Sequence, residues 1–134
     1  HDSNVFLDDS VELFILPQYG PEDDQIYYHI AVNSKGCVAD TKHIRRRFNH
    51  INDHYDDWNA NLQVTPECGK QSWGLKITIP LSEIGLTGRT GERFFMNLTR
   101  NRYAGGKREY SSFACIPADK TFHLLSAYPL FELK

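Results

Sequence analysis

The chain has 134 residues, enough for one domain that buries a core without help from disulfides or a metal ion. Aromatic residues make up 13% of it, a share that disfavours intrinsic disorder. The net charge of −2 gives no overall attraction to phosphate polymers, and no apolar run approaches the ~20 residues that span a bilayer. We therefore expect neither a nucleic-acid partner nor a membrane.

The first part of the chain shows the two-residue period of β-strands. Apolar side chains alternate in residues 11–15 and again in residues 26–33, where Ile26, Tyr28 and Ile30 share one face. A tight connection at 33–36 leads into a further short strand at 37–40. This pattern predicts antiparallel strands joined by hairpins.

A helical period follows in residues 43–58. Apolar side chains recur every three or four residues, as on one stripe of a helix, at Ile44, Phe48, Ile51, Tyr55 and Trp58. We therefore predict a short helical insertion near residues 43–58. Because several Asn and Asp residues lie between these positions and favour helices little, a long loop with aromatic anchors is the alternative.

Strand patterns return in the second half of the chain. They cover residues 62–65, 73–79, 94–99 and 108–116, with a single helical turn at 81–85, a hairpin turn at 104–107 and a last apolar segment at 122–133. Many short strands separated by turns indicate a β-sandwich or a barrel. We predict one all-β domain over residues 1–134, an antiparallel β-sandwich of the jelly-roll or immunoglobulin-like kind.

Histidine and aspartate side chains would share one face of the predicted helix. They are His43, His50, His54 and Asp57, and imidazole with carboxylate suits zinc. The alternative is a solvated polar face beside the apolar stripe.

Acidic residues gather before the first strand and in the loop that follows it. Asp8, Asp9 and Glu12 have the ligand types for acid–base chemistry or calcium, and residues 22–24 admit the same interpretation. The alternative is a solvated start of a strand. No nucleophile elbow, HExxH pair or phosphate-binding glycine loop is present in the sequence.

The three cysteines, Cys37, Cys68 and Cys115, are scattered and form no CxxC pair. Zinc-ribbon and thioredoxin-like sites therefore have no support. We expect small buried residues, or one bridged pair in an oxidising compartment.

Aromatic residues outside the strand alternation are candidates for stacking on a sugar. Phe6 precedes the first strand, and Phe113 follows Tyr110 by an odd number of residues. On a regular strand those two side chains point to opposite faces, so a bulge or strand end would be needed to bring them together. The alternative is that both phenylalanines belong to the core.

Five segments, taken in order, carry a resemblance to a known family. They are residues 6–15 (FLDDSVELFI), 28–33 (YHIAVN) with Gly36, 73–85 (WGLKITIPLSEIG), 91–100 (GERFFMNLTR) and 122–133. Together they span nearly the whole chain and resemble the family 9 carbohydrate-binding modules.

The resemblance implies a β-sandwich that binds oligosaccharides or polysaccharides without cleaving them. Such domains are modules of secreted glycan-degrading or glycan-binding proteins, which implies an extracellular, periplasmic or cell-surface location. In the family the ligand lies between two tryptophans, and polar side chains bind its hydroxyls. The matching positions here are Phe6, Glu12, His29, Arg100, Tyr110 and Phe113.

This chain departs from the family pattern in three ways. The stacking positions Phe6 and Phe113 are not tryptophan, and His29 replaces a glutamine. The chain also begins almost at the DDxxE segment, before which family members carry further strands. We therefore expect residues 1–134 to be the C-terminal two-thirds of a larger domain, completed by other segments or domains of a larger protein.

The resemblance also implies a structural calcium ion, without assigning its ligands. Because of the phenylalanines, the alternative function is a structural or interaction domain that has lost sugar binding. A catalytic role through the Asp8, Asp9 and Glu12 acids, or through a metal on His50 and His54, is the third hypothesis. We expect no catalysis by the domain itself.

Overall fold

The computed structural model describes residues 5–17, 24–47, 52–104 and 106–134. Within these ranges the chain forms nine strands and three short 3-10 helices, and no α-helix. The strands are β1 (Ser10–Leu16), β2 (Gln25–Asn33), β3 (Val38–Arg45), β4 (Asn52–Tyr55), β5 (Gln63–Cys68), β6 (Trp73–Thr78), β7 (Arg93–Ala104), β8 (Lys107–Ser112) and β9 (Leu130–Glu132). The 3-10 helices are Val5–Leu7, Leu81–Ile84 and Leu125–Ala127.

Seven of these strands form one large antiparallel sheet. Its order is β4-β3-β2-β1-β7-β8, and the short β9 pairs with the other end of β7. Strands β5 and β6 form a separate antiparallel pair. The predicted all-β antiparallel class is confirmed.

Both faces of the large sheet are covered by apolar side chains. Alternation in β1 places Phe14 and Leu16 on one side, called the Phe14 face, where Tyr27, Leu125 and Tyr128 pack against them. Ile15 points to the other side, the Ile15 face, where Tyr28, Ile84, Leu86 and the half-buried Ile79 join it. These two clusters pack on opposite faces of the sheet. They therefore bury the central strands β1 and β2 on both faces.

The predicted helix near residues 43–58 is wrong for the residues described there. His43 and Ile44 lie in β3 and residues 52–55 form β4, so that Ile44 pairs with Asp53. Phe48, His50 and Ile51 lie outside the described residues. The helical spacing of apolar residues is a local coincidence. Strand β3 forms backbone hydrogen bonds with β2, and this pairing cannot be recognised from the spacing of apolar residues within one segment.

Several local predictions are confirmed. The turn at 81–85 is the 3-10 helix Leu81–Ile84, which Gly85 ends at a φ of 72°. The β7–β8 hairpin turns at the predicted residues, with Gly106 at a φ of 77°. The strand expected over 108–116 ends at Ser112, because residues 113–124 leave the sheet as a loop.

The three cysteines lie at the surface of the protein. Cys37, Cys68 and Cys115 are exposed free thiols, so the expectation that they are buried is wrong.

No helix among the described residues is long and apolar enough to cross a membrane.

Candidate functional site

A cavity of about 740 Å³ opens on the Phe14 face, between the large sheet and the loop of residues 113–124. Volumes of this order are typical of small-molecule sites. Strand β1 contributes Glu12 and Phe14, strand β8 contributes Tyr110 and Ser112, and the loop supplies the rest. The loop residues that line it are Ala114, Cys115, Ile116, Pro117, Ala118, Lys120, Thr121, Phe122 and His123.

Strand register explains why these side chains share one face. Asn101 of β7 pairs with Ser10 of β1 and with Tyr110 of β8, and Glu12 lies two residues beyond Ser10. Side chains at paired positions point to the same side of a sheet, as do those two residues apart. The order β2-β1-β7-β8 thus places side chains from four strands next to one another.

The most buried polar group of the cavity is the carboxylate of Glu12, which is 6% exposed. His29 Nε2 lies 2.6 Å from Glu12 Oε2, and Asn101 Nδ2 donates to Glu12 Oε1. We call these three residues the Glu12 cluster. Burial alone raises the pKa of Glu12, but the hydrogen bonds and charge of His29 and the bond from Asn101 outweigh it, so the pKa lies below its ordinary value. Glu12 is therefore ionised at neutral pH, and the His29 Nε2–H donates.

The His29 ring packs against two aromatic side chains. It stacks on Phe14, with ring centroids 4.2 Å apart and planes 10° apart, and the Phe6 ring lies 5.6 Å away. This packing limits rotation of the imidazole. It therefore keeps the His29 Nε2–H directed at Glu12.

A group of further histidines lies beside the Glu12 cluster. His43 is 3% exposed, and neither of its ring nitrogens has a hydrogen-bond partner within the described part of the chain. Its ring stacks on Tyr27 at 4.5 Å, and Tyr27 Oη lies 2.9 Å from His123 Nδ1. The His43 and His123 rings are 5.3 Å apart, and the His29 ring is 5.3 Å from His123.

These buried imidazoles are neutral at pH 7. Burial, together with the neighbouring histidines, lowers the pKa of His43 to about 3. Burial and His29 lower the pKa of His123 to about 4, although Glu12 acts in the opposite direction. His123 thus lines the cavity as a neutral ring, and its partner Tyr27 keeps its proton because burial raises the pKa of that phenol to about 12.

Aromatic rings form the walls of the cavity. The Phe122 ring lies 6.4 Å from that of Phe14 and meets the Tyr110 ring edge-on at 5.9 Å. Tyr110 is 57% exposed, so much of its ring is open to a ligand. Three rings beside one buried carboxylate offer a ligand both apolar faces and a charged acceptor.

Arg108 connects the segment before β1 to the cavity wall. Its guanidinium donates to the carbonyl oxygen of Phe6 and to the hydroxyl of Tyr110, both at 2.9 Å. It also lies 4.6 Å from the centre of the Tyr103 ring. These contacts hold Phe6 and Tyr110 at the same edge of the site.

The structure brings together four of the six residues expected to contact sugar. Glu12 and Tyr110 line the cavity, His29 is hydrogen-bonded to Glu12, and the Phe6 ring lies 5.6 Å from the His29 ring.

Arg100 and Phe113 do not join them. Arg100 pairs with Val11, one residue from Glu12, and therefore points to the Ile15 face. Phe113 follows the end of β8, and its ring lies 6.2 Å from that of Phe131, which packs on Phe94 at the Ile15 face.

The other acidic candidates bind backbone or basic groups. Asp9 Oδ1 accepts the backbone N–H of Tyr103 at 2.6 Å, and Asp8 Oδ1 accepts that of Asp9 at 2.9 Å. Asp24 pairs with Arg46 at 2.8 Å. Glu22 and Asp23 lie outside the described residues.

The zinc hypothesis required a helix at residues 43–58, and the described residues of that segment form strands β3 and β4 and a turn instead. His43 and His54 face each other across β3 and β4, with ring centroids 4.7 Å apart. Within 5–17, 24–47, 52–104 and 106–134, no group of three or more His, Cys, Asp or Glu side chains is placed to hold a metal ion. The calcium expectation rests on the resemblance alone.

Sequence reasoning missed Asn101, Arg108, Phe122 and His123. One signal was available for Asn101, because Asn97, Thr99 and Asn101 alternate along β7 as polar residues at positions that point to the Phe14 face. Polar side chains repeated on a buried face indicate hydrogen bonding or a ligand. The loop residues carry no such local pattern.

Comparison of the chain with protein-family models, curated proteins and solved structures gave no match.

Proposed function

We propose that this chain is a non-catalytic carbohydrate-binding domain whose ligand occupies the cavity on the Phe14 face. One observation carries the proposal: a buried, ionised carboxylate lies beside aromatic rings in a cavity of about 740 Å³. Sugars present both hydroxyl donors and apolar C–H faces. A carboxylate accepts the former, and aromatic rings pack on the latter.

The chemistry of the lining favours binding over hydrolysis. Glycoside hydrolysis generally needs two carboxyl groups on either side of the scissile bond. Glu12 is the single carboxylate among the cavity-lining residues, all of which belong to the described part of the chain. The resemblance to family 9 modules leads us to extend the proposal to a module of a secreted glycan-degrading or glycan-binding protein.

The test is calorimetric titration with soluble gluco-, manno-, galacto- and xylo-oligosaccharides. We expect saturable binding, weakened about tenfold or more by Glu12→Gln, because a hydrogen bond to a charged acceptor is worth about 1.5–3 kcal/mol. Tyr110→Ala should weaken binding by a similar factor, since it removes an open stacking face.

Phe113→Ala is the matched control. Phe113 is 67% exposed, comparable to Tyr110, but lies away from the cavity. Its removal should leave affinity unchanged. A Phe113→Ala variant that binds as weakly as Tyr110→Ala would contradict the cavity as the site. A folded chain that binds none of these sugars would instead favour the structural or interaction domain.

A further inference from the structure

The two carboxylate oxygens of Glu12 have separate protein donors. His29 occupies Oε2 at 2.6 Å, and the Asn101 amide occupies Oε1. An ionised carboxylate accepts about four hydrogen bonds, so each oxygen keeps capacity for a further donor. Because Glu12 lines the cavity, that capacity is available to a ligand.

Asn101 is itself firmly held. It is 3% exposed, and its Nδ2 also lies 3.1 Å from the hydroxyl oxygen of Ser10, a fully buried residue. Ser10 and Asn101 are paired positions on the adjacent strands β1 and β7. The amide is thus fixed by the sheet rather than by a mobile loop.

We propose that Asn101 is a positioning residue of the saccharide site, which holds the Glu12 carboxylate in the orientation that receives ligand hydroxyls. This inference rests on the proposed function. Without Asn101, Glu12 is tethered through one oxygen only, and the carboxylate can rotate about that bond. A preorganised acceptor avoids the ordering cost that a rotating one incurs on binding.

The first test needs no ligand. The ionisation of Glu12 is followed by carbon NMR of its carboxyl group in the native chain and in Asn101→Leu, a variant of similar size without a donor. We expect the pKa of Glu12 to rise by about one pH unit or more, because one charge-assisted hydrogen bond is lost.

Asn33→Leu provides the control for loss of a buried amide. Asn33 is also buried and lies on the neighbouring strand β2, but its side chain accepts the backbone N–H groups of Lys35 and Cys37. This variant should lower stability and leave the Glu12 ionisation unchanged. A merely structural role for Asn101 would make both variants behave alike.

The second test uses the same oligosaccharides, titrated into native, Asn101→Leu and Asn33→Leu chains. We expect about tenfold weaker binding for Asn101→Leu and native affinity for Asn33→Leu. If Asn101→Leu does not fold, Asn101→Ser takes its place, since the shorter side chain cannot span the distance to Glu12.

The two proposals fail in different ways. If the native chain binds an oligosaccharide but the Asn101 variant has the same Glu12 pKa and the same affinity, the positioning role of Asn101 is overturned. The proposed function then stands. A raised Glu12 pKa in a protein that binds none of the oligosaccharides would overturn the proposed function and with it the positioning role.

Discussion

His43 is buried, and no described residue forms a hydrogen bond with either of its ring nitrogens, which makes it a source of acid sensitivity. Its pKa is lowered to about 3 when folded, against an ordinary value of 6.5. Between these values the unfolded chain binds a proton that the folded chain does not. Folded stability therefore falls as pH decreases from about 6.5, and His123, lowered to about 4, adds to the effect.

We predict that His43→Phe reduces this acid sensitivity. Phenylalanine keeps the stacking on Tyr27 and cannot take up a proton. Each neutral buried histidine makes stability fall by about 1.4 kcal/mol per pH unit in this range, so the variant should lose one such contribution. Urea unfolding at several pH values between 6.5 and 4.5 measures the slope.

His123→Gln should reduce the slope by a similar amount over the same range. The lowered pKa of Glu12 adds its own loss of stability as the pH approaches the ordinary value of 4.5, but the native chain and His43→Phe share this contribution, so it cancels when their slopes are compared. If the free energy of unfolding of His43→Phe has the same slope against pH as that of the native chain, His43 is not a source of the acid sensitivity.

At the scale of elements, the loop of residues 113–124 forms one side of the cavity, and a side chain of β7 anchors its start. Asn97 Oδ1 accepts the backbone N–H of Ala114 at 2.9 Å and the hydroxyl of Ser112 at 3.1 Å. Asn97 is fully buried on the Phe14 face. The loop therefore depends on the sheet for its position.

We predict that Asn97→Leu loosens the loop before it unfolds the domain. Two donors lose their acceptor, at a cost of about 1–3 kcal/mol, and the local opening of the loop should become more frequent. Trypsin should then cleave faster after Lys120, which lies in the loop.

Cleavage after Lys76, in strand β6, is the internal control and should change much less. Equal acceleration at both sites would mean that the variant only lowers global stability. In that case Asn97 is not a specific anchor of the loop.

At the scale of the whole molecule, the large sheet joins two apolar clusters into one folding unit. Strand β1 contributes Phe14 to one cluster and Ile15 to the other, so adjacent residues of one strand connect the two clusters. Loss of packing on the Ile15 face should therefore destabilise the cavity on the opposite face as well.

We predict that Ile15→Ala lowers the free energy of unfolding by about 2–5 kcal/mol, as expected of a buried aliphatic truncation. Fluorescence of the tryptophans and circular dichroism should report one common transition in urea. Leu98→Ala is the control: Leu98 is 44% exposed on β7 and should change stability by no more than about 0.5 kcal/mol. Separate transitions for the two signals would contradict a single folding unit.

The sequence by itself determined the strand class, most strand positions and the hairpin turns, because alternation and turn residues are local properties of the backbone. The resemblance proposed Glu12 and His29 as candidate site residues, and the structure places their side chains in hydrogen-bond contact. The same local reasoning failed at residues 43–58, where a helical stripe was overridden by the need of β2 for a partner strand.

Only the tertiary structure decided which distant residues meet. Asn101 bonds to Glu12 across 89 residues of chain because β7 pairs with β1, whereas the adjacent Arg100 points to the opposite face. Sheet order and register depend on the burial and hydrogen bonding of the whole domain, which no local period records. The cavity, its loop and the Glu12 cluster follow from that order.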